Sequence, residues 1–191
     1  YAPGDDLRLV HWKQSARSDD LKIKQTDPDA VRRLGVLLDV DVQRYDPVSF
    51  EAAVSAATSV ALSADQAGWR VQGSTSSSAV QPTEDLEDFL ETLALARPEP
   101  GRPLTDAVQA LARHYEGGLI VVVTGSSNGA AIAAARAAQP NADAGLLVVC
   151  EGEVPAPMPG VFVLDGRSSN ALRSGWTELM GAVSASPAGP R

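Results

Sequence analysis

Histidine, cysteine, lysine and aromatic side chains are all scarce in this sequence, and each shortage closes off a kind of chemistry. Cys150 is the only cysteine, which excludes an intramolecular disulfide and a cysteine-rich metal site. The only histidines are His11 and His114, and no lysine follows Lys24. Aromatic residues make up 5% of the chain, so the core must be built from Ala, Val and Leu. No apolar run approaches the roughly 18 residues of a membrane span, and no signal-peptide pattern is present. The first residue is Tyr1 rather than Met, so the chain is expected to be a piece of a longer protein.

What is present suits one soluble α/β domain. Hydrophobic residues account for 44% of the 191 residues and charged residues for 21%, ordinary proportions for a globular chain. The net charge of −8 argues against nucleic acid as a partner, because binding it requires a basic footprint. The charge is uneven. Residues 1–33 hold seven basic residues against six Asp, whereas 34–191 hold nine basic against eighteen acidic. This asymmetry divides the chain into a lead-in (1–33), a folded body (34–183) and a frayed tail (184–191).

Within the body, short apolar strands alternate with helices. Leu34–Leu38, Leu119–Val123, Leu146–Val149 and Val161–Leu164 read as buried strands. Trp69–Gln72 and Ala79–Val80 flank Gly-Ser-Thr-Ser and predict a hairpin. Helices are expected over Glu51–Gln66, from Thr83 as N-cap to about Ala96, and over Thr105–Tyr115, Asn128–Gln139 and Asn170–Val183. The proline-rich stretch 97–103 must be a loop. Such alternation predicts a doubly wound, mostly parallel sheet flanked by helices, a Rossmann-type architecture. Ligands in such folds sit at the carboxyl ends of the strands, so the residues after Leu38, Val123, Val149 and Leu164 carry the functional question.

After Val123 the chain runs Thr124-Gly125-Ser126-Ser127-Asn128-Gly129. Gly125–Gly129 fits the G-x-S-x-G of a serine-hydrolase elbow, but the histidine that must accept the proton from Ser127 should follow it, and both histidines precede it. The same turn resembles the T-G-x-x-x-G nucleotide loop of short-chain dehydrogenases, which need a downstream Tyr-x-x-x-Lys that this chain lacks. The simpler reading is a strand-to-helix turn capped by Ser or Asn.

After Leu38, Asp39, Asp41 and Gln43 place oxygen-bearing side chains at alternate positions, the donor type a hard divalent cation takes. This resembles the D-x-S-x-S of metal-ion-dependent adhesion sites in von Willebrand factor A domains. Gly101-Arg102-Pro103-Leu104-Thr105 is similar to the G-x-x-x-T turn of the same site. The match is degenerate: Asp41 and Gln43 stand for the serines, and Gly125 for the last acid. The resemblance implies a von Willebrand A-like body with no cofactor beyond a weakly held Mg²⁺ at Asp39, Asp41, Gln43 and Thr105.

The lead-in YAPGDDLRLVHWKQSAR, followed by Leu21-Lys22-Ile23-Lys24, resembles Y-x-x-G-D-x-x-R-x-I-x-W-x-x-S-A-R of the bacterial domain of unknown function 58 family. That resemblance implies a membrane-anchored protein whose A-like domain lies at the cytoplasmic face and works with a MoxR-type AAA+ ATPase in assembling or maturing other proteins. On this reading the chain is a non-catalytic interaction module, joined to the membrane through a region outside this sequence. Arg8, His11, Trp12, Lys13 and Arg17 are its candidate interaction residues, though the interspersed Asp residues also suit them to fastening the segment down. The competing expectations are a cation-dependent ligand-binding A domain, and a nucleotide-binding or serine-hydrolase enzyme built on Gly125–Gly129.

Overall fold

In the computed structural model the described residues are 32–184, less 47, 114–116, 139–141, 143 and 157, with the backbone alone at 181–184. The lead-in signature with its Leu21–Lys24 continuation, its candidate residues Arg8 to Arg17, His114 and the tail from 185 lie outside them.

Five strands form one parallel sheet: β1 (Arg33–Leu38), β2 (Arg70–Thr75), β3 (Leu119–Ser126), β4 (Ala144–Glu151) and β5 (Val161–Asp165). Their spatial order is β2-β1-β3-β4-β5, with every pairing parallel. The helices are α1 (Ser49–Gln66), α2 (Leu86–Leu95), α3 (Leu104–Ala112), α4 (Gly129–Ala137) and α5 (Ser169–Ser184). The α/β doubly wound fold expected from the alternation is therefore present.

The chain first steps outward from β1 to β2, then returns past β1 to β3 and proceeds the other way. Parallel crossovers keep one hand, so α1, which links β1 to β2, and α4, which links β3 to β4, must lie on opposite faces. They do. Leu34, Val36 and Leu38 of β1 and Val121 and Val123 of β3 pack under α1, α2 and α5. Leu37, Ile120, Val122, Leu147 and Val149 pack under α3 and α4. Coverage on both faces explains why these strands read as continuous apolar runs rather than alternating ones. Trp176 Nε1 donates to Ser63 Oγ at 2.9 Å and ties α5 to α1.

Three local expectations are corrected. The hairpin at 69–80 does not form: β2 runs through Thr75 as a parallel edge strand, and the return is one antiparallel bridge between Gly73 and Thr83. Gly73 belongs to the strand because a Cβ there would overlap the ring of the fully buried Phe89, so its absence lets α2 lie directly on the sheet. The cap of α2 is Asp85, whose carboxylate accepts from Glu87 N (2.8 Å) and Asp88 N (3.1 Å), while Thr83 Oγ1 accepts from Asp85 N one step earlier. Finally, β3 extends through Ser126 and takes in Thr124 and Gly125, which the sequence assigns to a turn.

Candidate functional site

The order reverses between β1 and β3, and beyond their carboxyl ends lies the crevice where folds of this kind bind ligands. Asp39 occupies it. The ladder continues one residue past β1, with Asp39 N donating to Val123 O at 2.8 Å, and this fixes the fully buried carboxylate over the sheet end.

Both Asp39 oxygens are engaged. Oδ1 accepts from Asp41 N at 3.1 Å and Ser76 Oγ at 3.2 Å, and Oδ2 from Thr124 Oγ1 at 2.9 Å. Ser76 Oγ also accepts from Val40 N at 2.8 Å, so one hydroxyl stitches β1 to the segment after β2. Arg44 supplies the opposite charge: its Nε lies 3.0 Å from Asp39 Oδ2 and 3.6 Å from Asp41 Oδ2. The N–H does not point along these lines, and Nε and Nη1 have no hydrogen-bond acceptor, so the contact is coulombic. Burial nevertheless dominates and raises the Asp39 pKa above its ordinary 3.8, against the lowering effects of Asp41 N, Thr124, Arg44 and Ser76.

Residues 40–46 pass over this carboxylate as a strap that ends at Val48. Asp41 caps the 3₁₀ turn Val42–Arg44, and Tyr45 Oη donates to Asp39 O at 2.6 Å while its ring meets Phe50 edge-on. Burial first, and the Asp39 charge second, push the Tyr45 hydroxyl well above its ordinary 10.0. Further along, Glu151 Oε2 at the end of β4 accepts from Asp46 N (2.9 Å) and Ser49 Oγ (2.6 Å). Gly125 makes this crossing possible, since a Cβ there would overlap the Arg44 carbonyl oxygen. The loop before α3 closes the other side: Val42 N donates to Glu99 O, Glu99 N to Val40 O, and Arg102 N to Ser76 O.

The family model described as "Protein of unknown function DUF58" matches residues 1–173. The chain belongs to the DUF58 family. No match was found among curated proteins. Solved structures similar to this DUF58 chain include the conserved hypothetical protein BatB from Bacteroides thetaiotaomicron, at 14% identity and a TM-score of 0.48, covering 79% of this chain and 98% of that one. An aerotolerance-related membrane protein from Bacteroides fragilis, carrying multiple mutations to serines, has 17% identity and a TM-score of 0.43 over 67% and 72% of the two chains. Proximal thread matrix protein 1 from the mussel byssus has 11% identity and a TM-score of 0.49 over 82% and 48%.

Of the residues singled out from the DUF58 sequence, Asp39 and Asp41 stand together under the Arg44 guanidinium. Gln43 is exposed on the 3₁₀ turn, its N–H donating to Asp41 Oδ1. Thr105 is half-buried in the first turn of α3, four residues past Gly101, where a Cβ would come within 2.8 Å of Ser76 Oγ. The Gly125–Gly129 stretch is divided between strand and helix. Asn128 Oδ1 caps α4 by accepting from Ala130 N and Ala131 N, both at 3.0 Å, as the capping expectation required, and Ser127 Oγ donates to Glu153 O at 2.9 Å.

Arg44, Tyr45 and Ser76 belong to no motif in the sequence, and Thr124 enters only as the first residue of the T-G-x-x-x-G turn. For Arg44 the signal is a cation three residues past Asp41. Ser76 gave none, because its partner lies 37 positions away.

Cys150, near the end of β4, is buried, and desolvation with the Asp165 charge pushes its thiol up to about 12. Since the thiolate is the reactive form, a disulfide reagent at pH 8 should modify the native protein roughly 100-fold or more slowly than the urea-unfolded chain. Equal rates would contradict the burial.

Proposed function

We propose that this DUF58 chain is a non-catalytic interaction module with a von Willebrand A-like body, carried at the cytoplasmic face by a membrane-anchored protein, and that it works with a MoxR-type AAA+ ATPase in assembly or maturation of other proteins. The observation that carries this reading is the character of the strap. The N–H groups of Asp41 and Asp46 turn inward onto Asp39 and Glu151, while Val42 and Val48 are exposed at 47% and 77%. These are two of the four exposed large apolar side chains among the described residues. Exposed apolar side chains beside charged groups offer area that a partner can bury, and a loop tied down by its own hydrogen bonds lowers the entropic cost of docking. Ser127, donating to a backbone carbonyl rather than lying against a base, favours binding over covalent chemistry.

No helix among the described residues is long and apolar enough to cross a membrane. The test is calorimetry or interferometry between the full-length protein and the MoxR-type ATPase of the same organism, with and without ATP. A saturable complex is expected, weakened about tenfold or more by Val48→Asp. Leu62→Asp, placed well along α1, should bind as wild type does. Absence of a complex in every nucleotide state would overturn the partner assignment.

A further inference from the structure

We infer that Arg44 occupies the place a divalent cation would take beneath the strap, so that the strand-end site is neutralised from within the chain and is independent of metal. The donor set does not fit an ion alongside it. Mg²⁺ binds oxygen at roughly 2.1 Å and demands an octahedral shell, yet Arg44 Nε already sits 3.0 Å from Asp39 Oδ2 and 3.6 Å from Asp41 Oδ2. Three of the four lone-pair sites of Asp39 are taken, two on Oδ1 by Asp41 N and Ser76 Oγ and one on Oδ2 by Thr124 Oγ1, and the guanidinium stands against the oxygen that keeps the fourth. A lone pair of Ser76 Oγ is committed to Val40 N.

The third side of the site points the same way. Gly125 presents no side-chain oxygen, and the volume a Cβ would claim there belongs to the Arg44 carbonyl. One residue thus contributes both halves of the replacement: its guanidinium supplies positive charge to the two aspartates, and its backbone fills the space of a ligand from β3. The guanidinium is held by charge, with no hydrogen-bond acceptor at Nε or Nη1. Removing it therefore frees both carboxylates without breaking a hydrogen bond.

The test pairs metal titration with substitution in the 191-residue chain. Wild type should give no binding heat with millimolar MnCl₂ and an unchanged melting temperature in EDTA. Arg44→Ala should melt about 6 °C lower and recover at least part of that loss in millimolar Mn²⁺. Asp39→Asn/Arg44→Ala should show no Mn²⁺ response. Stoichiometric Mn²⁺ binding by wild type, abolished by Asp39→Asn, would overturn the inference even if Arg44→Ala fails to fold. So would a folded Arg44→Ala that melts like wild type or ignores Mn²⁺.

Discussion

Gly125→Asp is expected to destabilise the chain by about 3 kcal/mol or more, combining overpacking with a buried charge. The substitution supplies the acid that the motif resemblance asks for at Gly125, and from the motif alone it looks favourable. The structure predicts the opposite. A Cβ at 125 overlaps the Arg44 carbonyl oxygen and lies 2.7 Å from the Tyr45 ring, so the strap must lift from β3 to admit it. Lifting it strips Tyr45 Oη from the Asp39 carbonyl and pulls on the Glu151 anchor at Asp46 and Ser49. Gly125→Ala should show most of the steric part without the charge. Urea titration followed by circular dichroism measures both. Near-wild-type stability of Gly125→Ala would mean that the strap does not cross β3 as described.

Asp39→Ala is the second large effect, at about 3–5 kcal/mol. The loss is not the worth of one ion pair. It is the cost of leaving a nearly buried guanidinium without its closest counter-charge, together with the orphaned Thr124 and Ser76 hydroxyls. Asp39→Asn should cost less, because an amide oxygen keeps one acceptor and no charge is buried. Unfolding midpoints within experimental error for Asp39→Ala and wild type would remove Asp39 from its proposed role as the pin of the site.

The same pair carries a pH signature. The folded-state pKa of Asp39 is raised, so its contribution to stability is fully present below its ordinary value and is lost as pH rises through the folded value. The stability of wild type relative to Asp39→Asn should therefore fall as pH climbs from about 4 and then level off. Asp46 runs the other way: the N–H groups of Ser49 and Val48 lower its pKa, so its contribution is lost as pH falls.

Much of the architecture was legible from local pattern. Apolar runs such as Leu119–Val123, each too short for a helix and separated by Ala-rich amphipathic segments, announced strands covered on both faces. Asn128, at the junction of strand and helix, announced its own cap. The errors fell where a local signal competes with a distant surface. Gly73 reads as a turn residue, and only the ring of Phe89 sixteen positions later explains why it belongs in a strand. Thr124 and Gly125 read as the opening of a loop, yet the ladder to β4 holds Thr124 opposite Val149.

The sequence by itself determined the family and the doubly wound class, because strand and helix periods and the lead-in string are local properties. Only the tertiary structure decided what Asp39 faces. A carboxylate after a buried strand accepts a metal or an arginine equally well on paper. The choice depends on whether the chain brings a cation back over it, which is a matter of loop path and of a missing Cβ on a strand 86 residues further along.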